Sequence, residues 1–133
     1  MSITEIVNNF NNQADDLMAQ MYACSQDYDI KVYHQMFVKL KKFNATKAIE
    51  QFIIYVLPFK EKIYEDDESF FLEKSGQELT GDGSEYTMMK SLKFKDLWKT
   101  LSDDSKNNIF KFFKVMVYFA EEYLKIKYPS LNC

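Results

Sequence analysis

The sequence predicts an all-α fold, a single-domain bundle of about six helices packed around an apolar C-terminal helix. Three observations carry that expectation. Between Ile109 and Ala120 ten of twelve residues are apolar, and only Lys111 and Lys114 interrupt IFKFFKVMVYFA, so a helix here is greasy on almost every side and needs cover from its neighbours. All three glycines lie between Gly76 and Gly83, and the two prolines are Pro58 and Pro129, which leaves most of the chain free of helix breakers. Elsewhere apolar residues recur at steps of three and four. A chain of 133 residues with 47% hydrophobic content can build one core, hiding roughly two thirds of its unfolded surface.

Ser2 and Glu5 have capping-box spacing and open a first helix. Ile3, Val7, Phe10, Ala14, Leu17, Met21 and Cys24 form its stripe, with Cys24 expected as buried filler. Its outer face carries Asn8, Asn9, Asn12, Gln13, Asp15 and Asp16, poor helix formers, so packing must supply the stability. After the polar break Ser25–Asp29, Ile30, Tyr33, Phe37 and Leu40, flanked by Met36 and Phe43, define a second helix up to Asn44. Asn44 or Thr46 caps a third, whose Ile49, Phe52, Ile53 and Val56 face one way until Pro58 bends the chain. Pro58 opens a short fourth helix with Phe59 and Ile63, and Phe70, Phe71 and Leu72 return to the core.

EKSGQELTGDGSE, at about residues 73–85, has no apolar period and contains every glycine, the pattern of a mobile loop. Helical spacing resumes at Tyr86, Met89 and Leu92 and runs through Phe94, Leu97, Trp98 and Leu101, as one helix or as two kinked near Ser91. Ser102 caps the last helix. Asp103 and Asp104 sit at its positive end and Lys125 and Lys127 at its negative end, a placement worth about 0.3–1 kcal/mol per charge.

The chemistry-bearing residues point away from catalysis, cofactors and metals. His34 is the single imidazole, and no nucleophile signature surrounds Cys24 or Cys133. The acidic run Glu65–Glu68 lacks the alternating ligands and turn glycine of a calcium loop and reads as a solvated helix end. Gly81 and Gly83 precede neither a lysine–serine pair nor a dinucleotide fingerprint, which disfavours nucleotide enzymes. No stretch is apolar enough to span a bilayer. No leader pattern opens the chain and its two cysteines have no motif spacing, so a reducing cytoplasmic setting is expected. The acceptor-like Asn44–Thr46 triplet is then accidental.

Charge carries more information. All seventeen basic residues are lysine, which removes the guanidinium fork that reads guanine and grips phosphate in pairs. Ile30–Ile49 holds five lysines and no acid, Lys60–Glu85 holds nine acids against three lysines, and Lys90–Lys114 holds seven lysines against three acids. A basic face built from Lys31, Lys39, Lys41, Lys42, Lys47, Lys90, Lys93, Lys95 and Lys99 would hold nucleic-acid backbone without sequence preference. The net charge of −3 disfavours that partner, and docking of the chain's own basic and acidic segments, or of two copies, accounts for the same asymmetry. Twelve phenylalanines and nine tyrosines exceed what a core of this size can hide, so some aromatic surface should form an interface. Trp98, Tyr118, Phe119 and Tyr123 are the candidates, because they widen the apolar surface of the last helices beyond one stripe.

DDESFFL at Asp66–Leu72, followed by LWKTLSDDSKNNIFKFFKVMVYFAEEYL at Leu97–Leu124, resembles short helical proteins encoded by nucleocytoplasmic large DNA viruses of protists and algae. The resemblance covers the C-terminal half and carries no catalytic residues. It implies a setting, the host cytoplasm or the virion, rather than an activity. A viral apoptosis regulator also wraps helices around an apolar one, but its Gly-Arg signature is absent. The expected function is a noncatalytic protein-interaction or structural assembly component, with self-association plausible. The alternative is a nonspecific nucleic-acid accessory protein.

Overall fold

Ser2 accepts a hydrogen bond from the Glu5 amide at 3.1 Å and starts α1 (Ile3–Ser25), as the capping-box spacing predicts. The helix ends where Gln26 turns left-handed (φ 57°) and its amide bonds the Tyr22 carbonyl at 2.7 Å. Asp27 caps α2 (Tyr28–Phe43) by accepting from the Asp29 amide at 2.9 Å, so this helix begins two residues before the first residue of its expected apolar set. α3 (Lys47–Tyr55) stops ahead of Pro58, where a 3-10 turn (Leu57–Phe59) leads into α4 (Lys60–Tyr64). Ser102 accepts from the Ser105 amide at 3.1 Å to open α5 (Asp103–Lys127). This computed structural model describes residues 1–70 and 97–129, and among them every regular element is helical. The expected loop at 73–85 and the helical spacing at Tyr86–Leu92 lie outside the described residues.

The fold is all-α, and its principal seam joins α1 to α5. Ser105 meets Cys24 while Asn108 and Val115 share a groove with Gln20 and Gln13, so the two helices run antiparallel. Ile6, Val7, Phe10, Ala14, Leu17 and Met21 line the α1 side and Ile109, Phe110, Met116, Val117, Ala120 and Tyr123 the α5 side. α2 packs back along α1, α3 touches α1, α2 and α5, and α4 lies on α5. Five phenylalanines link these layers. Phe10 meets Phe52 at 5.2 Å, Phe52 stacks on Phe113 at 6.1 Å, and Phe70 bridges Phe113 and Phe59 at 6.3 and 5.9 Å. Each such pair adds about 0.5–1.5 kcal/mol beyond area burial, which places much of the aromatic excess in the core.

Three expectations need correction. The apolar run of α5 is gripped along an arc rather than all round, since Tyr118 stays exposed and Lys111 and Val115 are exposed at the rim of the groove against Gln13 and Gln20 of α1. Cys24 is exposed, because the α1 stripe reaches it only at the level where α5 begins and no further layer covers it. Leu40, expected in the inner set of α2, and Phe43, expected to flank it, face solvent; Phe37 alone of that helix is buried.

Candidate functional site

One carboxylate marks the face of α2 that turns inward with Phe37. Asp15 of α1 is met by His34 Nε2 at 3.1 Å and by the Lys41 ammonium, both half-buried on the side of α2 that faces α1. His34 thereby belongs to the α1–α2 contact, and Lys41 leaves the expected basic face. With that side turned inward, residues spaced by four, four and seven look outward: Tyr28, Val32, Met36 and Phe43. Tyr28 is 70% and Phe43 89% exposed, Val32 and Met36 are partly exposed, and Leu40 borders the stripe. Lys39 stands within it and Lys31 and Lys42 flank it, all exposed, with Lys47 exposed at the start of α3. Lys31 sits 5.9 Å from the Tyr22 ring centroid. None of these four lysines forms an ion pair among the described residues.

The lysines of α5 behave differently. Lys114 pairs with Asp66 at 2.8 Å and Lys106 with Glu68 at 3.4 Å, while Lys60 of α4 pairs with Glu121 at 2.9 Å. Glu121 also accepts from the Tyr64 hydroxyl at 3.1 Å. The acidic run Glu65–Glu68 thus ties α4 and its following turn to α5, a docking of acidic on basic segments within one chain. Among the described residues no three His, Cys, Asp or Glu side chains converge to hold a metal ion. Lys99 is exposed next to Trp98, on a segment packed against α5, and α2 shares no extended interface with α5. Lys90, Lys93 and Lys95 lie outside the described residues.

The aromatic candidates divide in two. Trp98 and Tyr123 are each 1% exposed and leave the candidate surface, because their polar tips find partners that let the rings sink into the core. Trp98 donates to Glu68 at 3.1 Å and lies 5.6 Å from Phe110, and Tyr123 donates to Glu50 at 3.4 Å. Tyr118 is 50% exposed and packs edge-on against the half-buried Phe119 at 5.3 Å. Lys127 completes the Tyr123 cluster, 2.9 Å from its hydroxyl and 3.1 Å from Glu50. That ammonium, helped by hydrogen bonds from Thr46 and Tyr123 and opposed by burial, holds the Glu50 carboxyl below the ordinary glutamate range. Hydrogen bonds to the Tyr123 hydroxyl and then to Glu50 raise the Lys127 ammonium above the ordinary lysine range, so this end of the seam stays fully charged near neutrality.

Comparison with known proteins supplies a family. Over 132 aligned residues the chain is 32% identical to the uncharacterized protein R465 of Acanthamoeba polyphaga mimivirus, a match covering 93% of this chain and 73% of that relative. The chain belongs to this mimivirus protein family. The likeness to giant-virus proteins, expected from the C-terminal half, therefore extends across nearly the whole sequence and includes α2. No protein-family model matches the chain, and no solved structure does.

The outward stripe of α2 is the feature that sequence reasoning missed. Its spacing is visible in the sequence, but the inner set Ile30, Tyr33 and Phe37 satisfies the same helical period. Nothing local separates the two. Among the described residues no helix is long and apolar enough to cross a membrane.

Proposed function

We propose that the protein is a noncatalytic protein-interaction or assembly component of a giant-virus system, acting in the host cytoplasm or the virion. The observation that carries this reading is the outward stripe of α2. A phenylalanine 89% exposed and a tyrosine 70% exposed, on one face with the partly exposed Val32 and Met36, form an apolar surface open to solvent. Apolar surface in a continuous stripe, rimmed by charge, is the anatomy of a contact surface. The exposed pair Val115 and Tyr118 on α5 gives the molecule a second, smaller apolar area suited to self-association.

The test is affinity capture of the tagged full chain from the cells that produce it, compared with Phe43→Ser and Tyr118→Ser. A protein retained by the parent chain and lost with Phe43→Ser supports the reading. An identical set of captured proteins from all three chains would remove it.

A second reading rests on the four lysines that form no ion pair among the described residues, Lys31, Lys39, Lys42 and Lys47, which could hold nucleic-acid backbone. Binding of that kind falls steeply with salt, because each neutralised phosphate releases counterions. Retention of oligo-deoxythymidine at low salt and its release in moderate salt would favour it, and no retention at low salt would eliminate it.

A further inference from the structure

We propose that the outward face of α2 docks an acidic amphipathic helix supplied by another protein, an assignment that rests on the interaction role above. Tyr28, Val32, Met36 and Phe43 share one face of α2, with Tyr28 and Phe43 exposed at its ends, Val32 and Met36 partly exposed between them, and Lys39 set between Met36 and Phe43. Helical rise spreads this seam over about 22 Å, the length of a four-turn contact. Helix-in-groove recognition reads anchors at such spacings, with side chains of one helix seated between those of the other.

Charge selects the partner. Lys39 lies inside the seam, between Met36 and Phe43, and Lys31 and Lys42 run along its edge. A lysine within an apolar contact is costly unless a carboxylate meets it, so the partner must bring acids next to its apolar residues. A second copy laid α2 against α2 would meet lysine with lysine along most of the seam, since Asp29 in the first turn is the one acid of the helix. A lipid surface would have to take up the Lys39 ammonium with no counterion placed among Met36 and Phe43. A nucleic-acid strand would find two aromatic rings at the ends of the helix and aliphatic side chains between them, which makes a poor stacking platform.

The decisive experiment uses the purified full chain and a fluorescent peptide of about three heptads with leucine at the a and d positions and glutamate elsewhere. Companion probes are a scrambled peptide of the same composition, the lysine-for-glutamate peptide, oligo-deoxythymidine, and phosphatidylserine vesicles. The expected result is anisotropy-detected binding of the patterned acidic peptide. Phe43→Ser should weaken it about ten-fold or more, and so should the double variant Lys39→Glu with Lys42→Glu. Tyr118→Ser should leave it unchanged. All of these positions are exposed, so circular dichroism should show intact helices in each variant. Equal affinity for the scrambled peptide, indifference to Phe43→Ser, or tighter Phe43-dependent binding to oligo-deoxythymidine or to vesicles would each overturn the assignment. If the peptide fails while cellular capture still depends on Phe43, the helical acidic partner is wrong and the interaction role stands.

Discussion

The indole nitrogen of Trp98 donates to Glu68 at 3.1 Å, so the largest fully buried side chain among the described residues is moored to a carboxylate at the surface. Lys106 lies 5.6 Å from the same ring centroid and 3.4 Å from the same carboxylate, which closes a small charged cap over the core. Trp98 is also the single tryptophan, so its fluorescence reports unfolding directly. Trp98→Ala should cost about 3–5 kcal/mol through the cavity it leaves. Trp98→Phe keeps an aromatic ring against Phe110 and loses the N–H, and it should cost about 1–2 kcal/mol by urea unfolding. Glu68→Gln, which keeps an acceptor, should change little; a loss as large as that of Trp98→Ala would contradict the cap.

Acid should loosen the molecule at both ends of the α5 seam. The Trp98 N–H, and then the charge of Lys106, hold the Glu68 carboxyl below the ordinary glutamate range, as Lys127 does for Glu50. An unfolded glutamate takes up its proton at higher pH than either folded one, so between those values the unfolded chain binds more protons. The stabilisation is therefore complete above about pH 4.5 and is lost as pH falls through the depressed folded values. Both carboxylates are largely exposed, so the slope should be shallow. The melting temperature of a Glu50→Gln, Glu68→Gln double variant should fall less steeply below that pH than the parent's. Superimposable profiles would show that other carboxylates govern acid stability.

Asn11 is the buried polar side chain of the core, and it holds the α2–α3 connection by donating to the Ala45 carbonyl at 2.9 Å. Its own Oδ1 has no hydrogen-bond partner among the described residues. Replacing it by leucine removes one bond to an exposed carbonyl, which water can take over, and also removes the unpartnered oxygen. Asn11→Leu should therefore alter stability by about 1 kcal/mol or less in either direction. Asn11→Asp puts a charge beside that carbonyl in a buried site and should cost several kcal/mol. Chemical denaturation of the two variants at neutral pH separates these outcomes.

Where local chemistry decides a feature, the sequence is readable. The Ser2 and Ser102 caps, the stop ahead of Pro58 and the six-residue stripe of α1 from Ile6 to Met21 all follow from neighbours within one or two turns. Choices made by distant residues are not readable. The face of α2 that turns inward carries Phe37 into the core and His34 and Lys41 onto Asp15, which sits nineteen positions from His34. Trp98 and Tyr123 have the composition of interface residues, and only Glu68 and Glu50, both remote in sequence, turn them into core. Exposed Phe43 and buried Phe37 are six residues apart on one helix, with no local signal to separate them.

The one-sided packing of α5 makes its own prediction. Met116 and Phe113 lie on the arc gripped by α1, α3 and α4, with Phe113 stacked on Phe52 and edge-on to Phe70. Val115, their neighbour in sequence, is exposed at the rim of the groove against Gln13 and Gln20. Met116→Lys or Phe113→Asp inserts a charge among apolar side chains at a cost of several kcal/mol, against a total stability of about 5–15 kcal/mol, and each should abolish folding. Val115→Lys should shift stability by only about 0.5 kcal/mol, because its new ammonium stands beside Lys111 in water. Far-ultraviolet circular dichroism and Trp98 fluorescence on the three variants decide the matter. Were Val115→Lys to unfold the chain as well, α5 would need cover on its outer side, and the helix would be sheathed all round as its composition alone suggests.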